Sequence, residues 1–475
     1  MTTDIKQATP NKAQANVFPS LLNLINNILG AGLFSMPWCL RQASVGSGVV
    51  LLIFCACLNA ASFVIIAKCC DLAHEFSYLK MGRIALGNTF GLCLQGVVAL
   101  YTLGSTISFV VLCGDFLVGK NTGVFEHFAN NTILYNPNND TGSRAFIILI
   151  CTVLFFLPLS VLRHLDGLKY TSAVSCLASF YAAVLTCTVY FNAPADAMLE
   201  YELKAQPPLR DEISWFAFRL SFWEAVPIVN VAFTAHYNAG RFYQELSNRS
   251  TKRIAIVSYG AMGLSLLLYG VVAVTGYLTF GRETKGNILE NYAPGYALAI
   301  GARIALATVV IFTLPLAAHS LRGSLFALLW KDGNINSDNA PRSIIAAIAL
   351  GVLLGCGTVG VLFTKIEVVL AYKGGIFGSC LVYIFPSLML VALRVRRDRH
   401  QVENATIATR LVPRAFDVEE NDRDNSPPAT FRETLVAMFT KKENWYLGFM
   451  FLWGILGGLL SVSVTVLKQI GVLVV

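Results

Sequence analysis

Long apolar runs separated by short polar stretches dominate the pattern of this chain. A hydropathy window of about 19 residues, the length needed to cross a bilayer as a helix, selects eleven such runs. The chain is therefore predicted to be an all-α membrane protein with eleven transmembrane helices. The predicted spans are 17–41, 46–70, 90–117, 144–162, 168–191, 221–240, 254–280, 297–320, 343–363, 366–393 and 443–466.

The first span carries residues that a simple membrane helix would rarely contain. Three Asn residues precede Gly30 and Gly32 within one apolar run. Each Gly weakens a helix interior by about 1 kcal/mol relative to Ala, and backbone groups freed inside a bilayer must face protein or water. The pattern predicts half-helices at 18–29 and 33–41, joined by an unwound segment that can bind charged groups. Close helix packing at the two Gly residues is the alternative.

The sixth span is the second irregular run, because Pro227, Asn230, His236 and Gly240 interrupt it. An ionisable residue inside a span suggests a functional site, although His236 would also fit a packing role. Interrupted spans at corresponding places of two halves are typical of transporters built from inverted repeats. Spans one to five and six to ten are therefore predicted to be such repeats, with the eleventh as an addition.

The distribution of basic residues predicts the topology. With the N-terminus in the cytoplasm, 24 of the 36 Lys and Arg residues fall on the inner side, as the positive-inside rule requires. The predicted organisation is a cytoplasmic tail at 1–16, a first repeat at 17–191, an extracellular loop at 192–220, a second repeat at 221–393, a charged, flexible cytoplasmic linker at 394–442, and a last helix with a short outer tail at 443–475.

Composition excludes several classes of protein. The 475 residues are 55% hydrophobic and only 13% charged, whereas soluble domains carry about 25% charged residues. The net charge of +8 lies in short loops between apolar spans, which indicates a lipid bilayer and not a nucleic acid as partner. The sequence carries no motif for catalysis, no cofactor fingerprint and no metal-ligand cluster.

Two further spans carry polar residues of interest. Thr313 lies in the eighth span, where its hydroxyl could bond to its own helix. Lys373 lies beside two Gly residues about seven positions into the tenth span, at an insertion cost of about 2.5–3.5 kcal/mol. Its side chain could snorkel to the interface or act in an external gate or in coupling. Sequons at Asn130 and Asn139 fall on the predicted outer loop 118–143, where glycosylation is expected.

In their order and spacing, several segments of the chain together resemble the amino acid/auxin permease family, which contains neutral and vesicular amino-acid transporters. The resemblance covers roughly 17–393 and most of 443–466. The segments that carry it are Asn23 to Gly32 followed by Pro37, Ala232 to Asn238 followed by Tyr243 to Leu246, Gly276 to Gly281, Thr313 to Pro315 with Arg322 to Leu325, and Ile384 to Leu388.

The resemblance implies a five-plus-five inverted-repeat fold and secondary transport of an amino acid. The backbone of Gly30, Ala31 and Gly32, together with that of the sixth span, would then hold the α-amino and α-carboxyl groups. Side chains that would surround the substrate are Phe233, Thr234, His236, Tyr101 and Thr102.

A sodium site of sodium-coupled relatives would correspond to Asn26 and Thr313. This chain departs from the family at Tyr237, where Pro is common, and at Lys373, whose charge could replace a cation. The departure at Lys373 counts against sodium coupling, so the expected coupling is to a proton or a sodium gradient, with uniport as a further option. The expected function is secondary active transport of amino acids by alternating access, and the alternative is an amino-acid sensor with little flux. The plasma membrane is the expected location, and a vacuolar or lysosomal membrane is the alternative.

Overall fold

The computed structural model describes residues 15–119, 123–129, 132, 134–162, 171–192, 213–330, 339–410 and 427–472. Helices form the regular structure of these residues. The α-helices are α1 (Val17–Ile28), α2 (Met36–Ala43), α3 (Val45–Ala73), α4 (Tyr78–Leu86), α5 (Asn88–Val118), α6 (Val124–Phe128), α7 (Asp140–Cys151), α8 (Leu157–Val161), α9 (Thr171–Asn192), α10 (Phe222–Ala232), α11 (Ala239–Glu245), α12 (Thr251–Phe280), α13 (Ala297–Leu329), α14 (Arg342–Leu362), α15 (Ile366–Tyr372), α16 (Phe385–Arg410), α17 (Phe431–Thr440) and α18 (Trp445–Gln469).

The helices define a multi-pass membrane protein. Among the described residues, nine helical segments are long and apolar enough to cross a bilayer, and the bent pair of α1 with the segment ending at Ala43 makes ten. The predicted sixth span consists of α10 and α11, with 11 and 7 residues. Each piece is shorter than the roughly 20 residues a straight span needs. The count of eleven spans stays a prediction.

The two broken spans lie against long helices at the centre of the molecule. Helix α12 packs along α1, α2 and α3, and α10 packs against α2, α3 and α18. Helices α5 and α13 pack along each other beside them. Side chains between these helices are buried, whereas many Leu and Phe residues on their outer faces are exposed. Exposed apolar side chains of this kind suit a surface that meets lipid.

Two π-helical segments connect α15 to α16, namely Lys373–Gly378 and Cys380–Ile384. In the first segment, the backbone at Gly374 lies directly against the backbone of α10. A Cβ at Gly374 would overlap the Pro227 carbonyl oxygen. Segments of π-helix inside α-helices frequently mark functional sites. The predicted tenth span is therefore irregular next to the broken sixth span.

The charged segment 394–442 differs from the flexible linker expected from its composition. Helix α16 continues to Arg410, and α17 occupies 431–440. The side chain of Thr430 and that of Glu433 cap α17 reciprocally, which satisfies backbone N–H groups at its first turn. Lys441 pairs with Asp398 of α16 at 2.7 Å. Capping and an ion pair thus order both ends of this segment.

Several sequence predictions lie wholly or partly outside the described residues. They include the cytoplasmic tail up to residue 14, the start of the fifth span at 168–170, most of the extracellular loop 192–220, the sequon at Asn130, residues 411–426 of the charged segment, and the end of the chain from residue 473.

Candidate functional site

The first span is broken where the sequence predicted a joint. Helix α1 ends at Ile28, a 3-10 turn begins at Ala31, and the axes of the two halves differ by 56°. The Gly30 carbonyl accepts a hydrogen bond from Leu33 N–H at 3.2 Å. The N–H groups of Ala31 and Gly32 thus come before the first backbone hydrogen bond of the second half of this span. Such N–H groups at a helix start attract anions.

The sixth span is broken in the same manner. Helix α10 ends at Ala232, a 3-10 turn covers His236–Asn238, and α11 follows. The hydroxyl of Thr234 donates to the Asn230 carbonyl at 2.7 Å, so it caps the last turn of α10. The stretch between Ala232 and His236 leaves regular helix, which frees carbonyls inside the protein.

The two breaks meet at Gly32. A Cβ at this position would lie 2.6 Å from the Ala232 Cβ and 2.9 Å from its Cα. Carbon atoms in contact are about 3.5–4.0 Å apart, so only Gly fits here. At Gly30, an added Cβ would meet just the Ile28 oxygen, at 3.9 Å. Gly32 therefore sets the approach of the two broken spans, whereas Gly30 faces open space.

One side chain from α12 joins both breaks. The Tyr269 hydroxyl lies 2.8 Å from the Ile28 carbonyl oxygen and 2.9 Å from the Ala232 carbonyl oxygen. The Phe233 ring packs against the Tyr269 ring edge-on, with centroids 5.2 Å apart. The last carbonyls of two broken helices are thereby brought within reach of one atom.

Aromatic side chains and one Lys surround the second break. The rings of Tyr101 and Tyr237 are 5.9 Å apart, and the Tyr101 hydroxyl interacts with Thr234. The Lys373 Nζ lies 4.5 Å from the Tyr101 ring centroid, within the range of a cation–π contact. Lys373 is 8% exposed, so in this structure it does not snorkel. Tyr237 interacts with the side chain of Asn27.

A buried polar network supports the second break from the other side. Asn59 Nδ2 donates to Asn230 Oδ1 at 3.1 Å, and the Tyr383 hydroxyl donates to the same oxygen at 2.8 Å. His236 Nε2 lies 3.2 Å from the Asn59 carbonyl oxygen, and its ring packs edge-on against Phe63. His236 is fully buried, so it connects the sixth span to α3 within the core. Of these residues, only His236 is among those predicted from the sequence, whereas Asn59 and Tyr383 are not.

The remaining predicted site residues lie on regular helix. The Thr102 hydroxyl donates to backbone carbonyls of its own helix, to Val98 at 2.9 Å and to Ala99 at 3.0 Å. The Thr313 hydroxyl likewise donates to the Val309 carbonyl at 2.7 Å. Both oxygens keep lone pairs that a cation could use. Asn26 lies in the last turn of α1, just before the joint.

Charged groups gather where α10 begins and near α2, at one end of the two broken spans. Lys468 of α18 pairs with Glu224 of α10 at 2.9 Å, and its Nζ lies 5.8 Å from the centroid of the Trp38 ring of α2. In the loop that follows α12, burial raises the pKa of the Glu290 carboxyl to about 8, and the negative charges of Asp115 and Glu367 act in the same direction. The described part of the loop before α7 contains the exposed Asn139, whose Oδ1 caps that helix.

Two discontinuous spans that meet within a helical membrane bundle define a class of protein, the membrane transporters with binding sites at broken helices. The family model described as "Transmembrane amino acid transporter protein" matches residues 13–408. The chain belongs to this family. Its members are transporters and not enzymes, and the match agrees with the resemblance seen in the sequence.

Curated relatives are similar over most of their length. The putative sodium-coupled neutral amino acid transporter 11 of Danio rerio is 28% identical over 383 residues, covering 81% of this chain and 80% of the relative. The vacuolar amino acid transporter 5 of Schizosaccharomyces pombe is 26% identical over 379 residues, covering 78% of this chain and 83% of the relative.

The fold also resembles a solved transporter. The inward-facing conformation of Mhp1 matches with a TM-score of 0.54 at 12% identity, covering 99% of this chain and 96% of that one. Identity this low supports the fold alone. The chain is thus an all-helical, multi-pass membrane protein with a transporter-type architecture.

Proposed function

We propose that this protein is a secondary active transporter that moves amino acids across a membrane by alternating access. The observation that carries the proposal is the meeting of two helix breaks, at Gly32 and Ala232, within a bundle that belongs to an amino-acid transporter family. Backbone groups at such breaks complement both charged ends of an amino acid.

The substrate carboxylate binds at the N–H groups of Ala31 and Gly32, where the second half of the first span begins. Unpaired N–H groups and the positive end of the helix dipole favour an anion there. The substrate ammonium binds at carbonyls freed where α1 and α10 end. Substrate specificity then comes from the side chains around the second break: Phe233, Thr234, His236, Tyr101 and Thr102.

The proposed architecture is a five-plus-five inverted repeat with an additional last helix. The first repeat covers 17–191 and the second covers 221–393, so that each repeat begins with a broken span. The tail 1–16 and the segment 394–442 lie in the cytoplasm, and the loop 192–220 and the end of 443–475 lie outside. Rocking of one group of helices against the other opens the site alternately to each side.

A cation gradient drives transport in this proposal. Relatives whose names include sodium coupling support sodium, with Asn26 and the Thr313 hydroxyl as ligands. The buried ammonium of Lys373 supports the alternative, in which a resident charge takes the place of sodium and a proton supplies the coupling. Thr313→Val separates the two because it raises the sodium requirement only if Thr313 is a ligand. Thr308→Val is the matched control, since Thr308 is half-buried on the same helix and makes the same kind of backbone bond.

The plasma membrane is the proposed location, with the N-terminus in the cytoplasm. Several relatives have vacuolar names, which makes a vacuolar or lysosomal membrane the second candidate. Expression of the tagged full-length protein, followed by fractionation against markers of both membranes, decides between them.

Uptake into proteoliposomes tests the transport function. The purified protein is reconstituted and supplied with a panel of labelled amino acids under a sodium gradient, a proton gradient or no gradient. The expected result is saturable uptake of a subset of the panel that one of the gradients accelerates. Absence of saturable uptake of every amino acid under all conditions overturns the proposal, provided that the protein is folded and inserted.

A further inference from the structure

Tyr269 lies outside every site predicted from the sequence. Its hydroxyl nevertheless occupies the point where the first halves of both broken spans, α1 and α10, end. The side chain is fully buried on α12. Its oxygen is 2.8 Å from the Ile28 carbonyl oxygen and 2.9 Å from the Ala232 carbonyl oxygen. These distances are typical of hydrogen bonds.

The hydrogen-bond chemistry at this point is incomplete. A phenol carries one proton, so it donates to only one of two carbonyls at any instant. Each carbonyl oxygen has two lone pairs, and a buried carbonyl without sufficient donors is unfavourable. The pair of carbonyls at Ile28 and Ala232 can therefore accept further hydrogen bonds. An ammonium has three donors and a positive charge, which suits two converging acceptors.

We infer that Tyr269 is a positioning residue, which holds the Ile28 and Ala232 carbonyls on one point so that both accept from the substrate ammonium. The inference rests on the proposed transport function and assigns specific atoms to the ammonium subsite. Tyr269 keeps one hydrogen bond in the loaded state, while the ammonium donates to the remaining lone pairs.

Neighbouring contacts keep the Tyr269 hydroxyl in place. The Phe233 ring lies edge-on against the Tyr269 ring, and edge-on aromatic pairs are stabilising beyond their buried area. The close approach of Gly32 to Ala232 sets the spacing of the two breaks. A rigid ring that reaches across this fixed spacing orients the Ile28 and Ala232 carbonyls, which belong to segments more than 200 positions apart in the chain.

The test compares Tyr269→Phe with Tyr277→Phe in proteoliposomes. Tyr277 is the matched control, because it is buried on the same helix and its hydroxyl accepts from Ser214 N–H at 3.2 Å, away from the breaks. Tyr269→Phe is expected to raise KM by about tenfold or more, with a smaller effect on kcat. It should also reduce the preference for an amino acid over the α-hydroxy acid with the same side chain. Tyr277→Phe should change neither quantity.

Several outcomes overturn the inference. The inference is overturned if Tyr269→Phe has an unchanged or lower KM. It is also overturned if Tyr269→Phe keeps the wild-type preference for the amino acid over the hydroxy acid. If the wild-type protein transports no amino acid at all, the proposed function fails instead, so the two failures are distinguishable.

A second measurement uses the unmutated protein and stands even if Tyr269→Phe fails to fold. An N-trimethylated analogue of the transported amino acid keeps the positive charge but has no N–H donor. It is expected to compete for uptake at least tenfold less well than the parent, about 1.4 kcal/mol in binding free energy. Equal competition by the two compounds would show that the carbonyl pair is not the ammonium subsite, and the inference would fall.

Discussion

The contact between Gly32 and Ala232 predicts that one added methyl group disables the joint. A Cβ at position 32 would lie 2.6 Å from the Ala232 Cβ. Because carbon atoms in contact are about 3.5–4.0 Å apart, Gly32→Ala must move the two broken spans apart by about 1 Å. Overpacking of this kind costs typically about 1–3 kcal/mol of folding free energy.

At the proposed ammonium subsite, the same displacement is expected to weaken substrate binding. The Ile28 and Ala232 carbonyl oxygens are now 2.8 and 2.9 Å from the Tyr269 hydroxyl. A further separation of about 1 Å takes one of them beyond hydrogen-bonding range. Losing a hydrogen bond to a charged group costs about 1.5–3 kcal/mol, which corresponds to a rise in KM of about 10- to 150-fold.

The assay measures the concentration dependence of uptake and the thermal midpoint for wild type, Gly32→Ala and Gly30→Ala. Gly30→Ala is the control, because the added Cβ would meet just the Ile28 oxygen at 3.9 Å. It should keep the wild-type thermal midpoint, whereas Gly32→Ala should lower the midpoint and raise KM. A wild-type midpoint and KM in Gly32→Ala would refute the packing argument, and so would equal destabilisation by both substitutions.

Three further predictions follow from single side chains. Lys373→Ala is expected to lower uptake in the absence of sodium several-fold, because the buried ammonium is proposed to replace a cation. Lys365→Ala is the control, since Lys365 is exposed. Unaffected uptake by Lys373→Ala would remove Lys373 from the mechanism. Glu290 binds its proton more tightly in the folded protein than in the unfolded chain, since its pKa is raised from 4.5 to about 8. The contribution of Glu290 to stability is therefore fullest below pH 4.5 and is lost as the pH rises through 8. Glu290→Gln should flatten this part of the thermal-midpoint profile, and an unchanged profile would contradict the assignment. Asn139 should carry a glycan when the protein is made in a eukaryotic secretory pathway. Thr141→Ala should then reduce the glycosidase-sensitive mobility shift by the contribution of one glycan while leaving the Asn139 cap intact, and the absence of any shift in wild type would count against an outer position.

The helix breaks could be predicted because they depend on local residues. Irregular backbone is indicated by Gly30 and Gly32 inside one apolar run, and by Pro227 with Asn230 inside a second one. This indication does not depend on how the helices pack against one another. Both breaks are present in the structure. Lys373 could also be singled out from the sequence alone, because a charge inside a span is costly in any fold.

The contacts that shape the site could not be predicted in this way. Tyr269 lies in an ordinary apolar run, and its role depends on where Ile28 and Ala232 arrive in space. Asn59 and Tyr383 likewise meet across 324 positions of sequence. Long-range pairs of this kind leave no periodic signal along the chain.

The helical ends of 394–442 were missed for a different reason. Charge composition favoured a flexible linker, but the spacing of Thr430 and Glu433 is that of a capping box, which indicates a helix start. A capping box is a local signal, and it outweighs charge composition in placing the start of a helix. Helix α17 begins where the capping box predicts.

The ion pair between Lys468 and Glu224 has a consequence for biogenesis. The two residues are 244 positions apart, so the ribosome has already released the sixth span when Lys468 is synthesised. Glu224 is almost fully buried in the finished protein, and burying an unpaired carboxylate costs several kcal/mol. Nascent chains that stop before Lys468 would keep this carboxylate in contact with water or headgroups. Completion of α18 is therefore expected to precede the final packing of Glu224 and of this end of the sixth span in the assembled bundle.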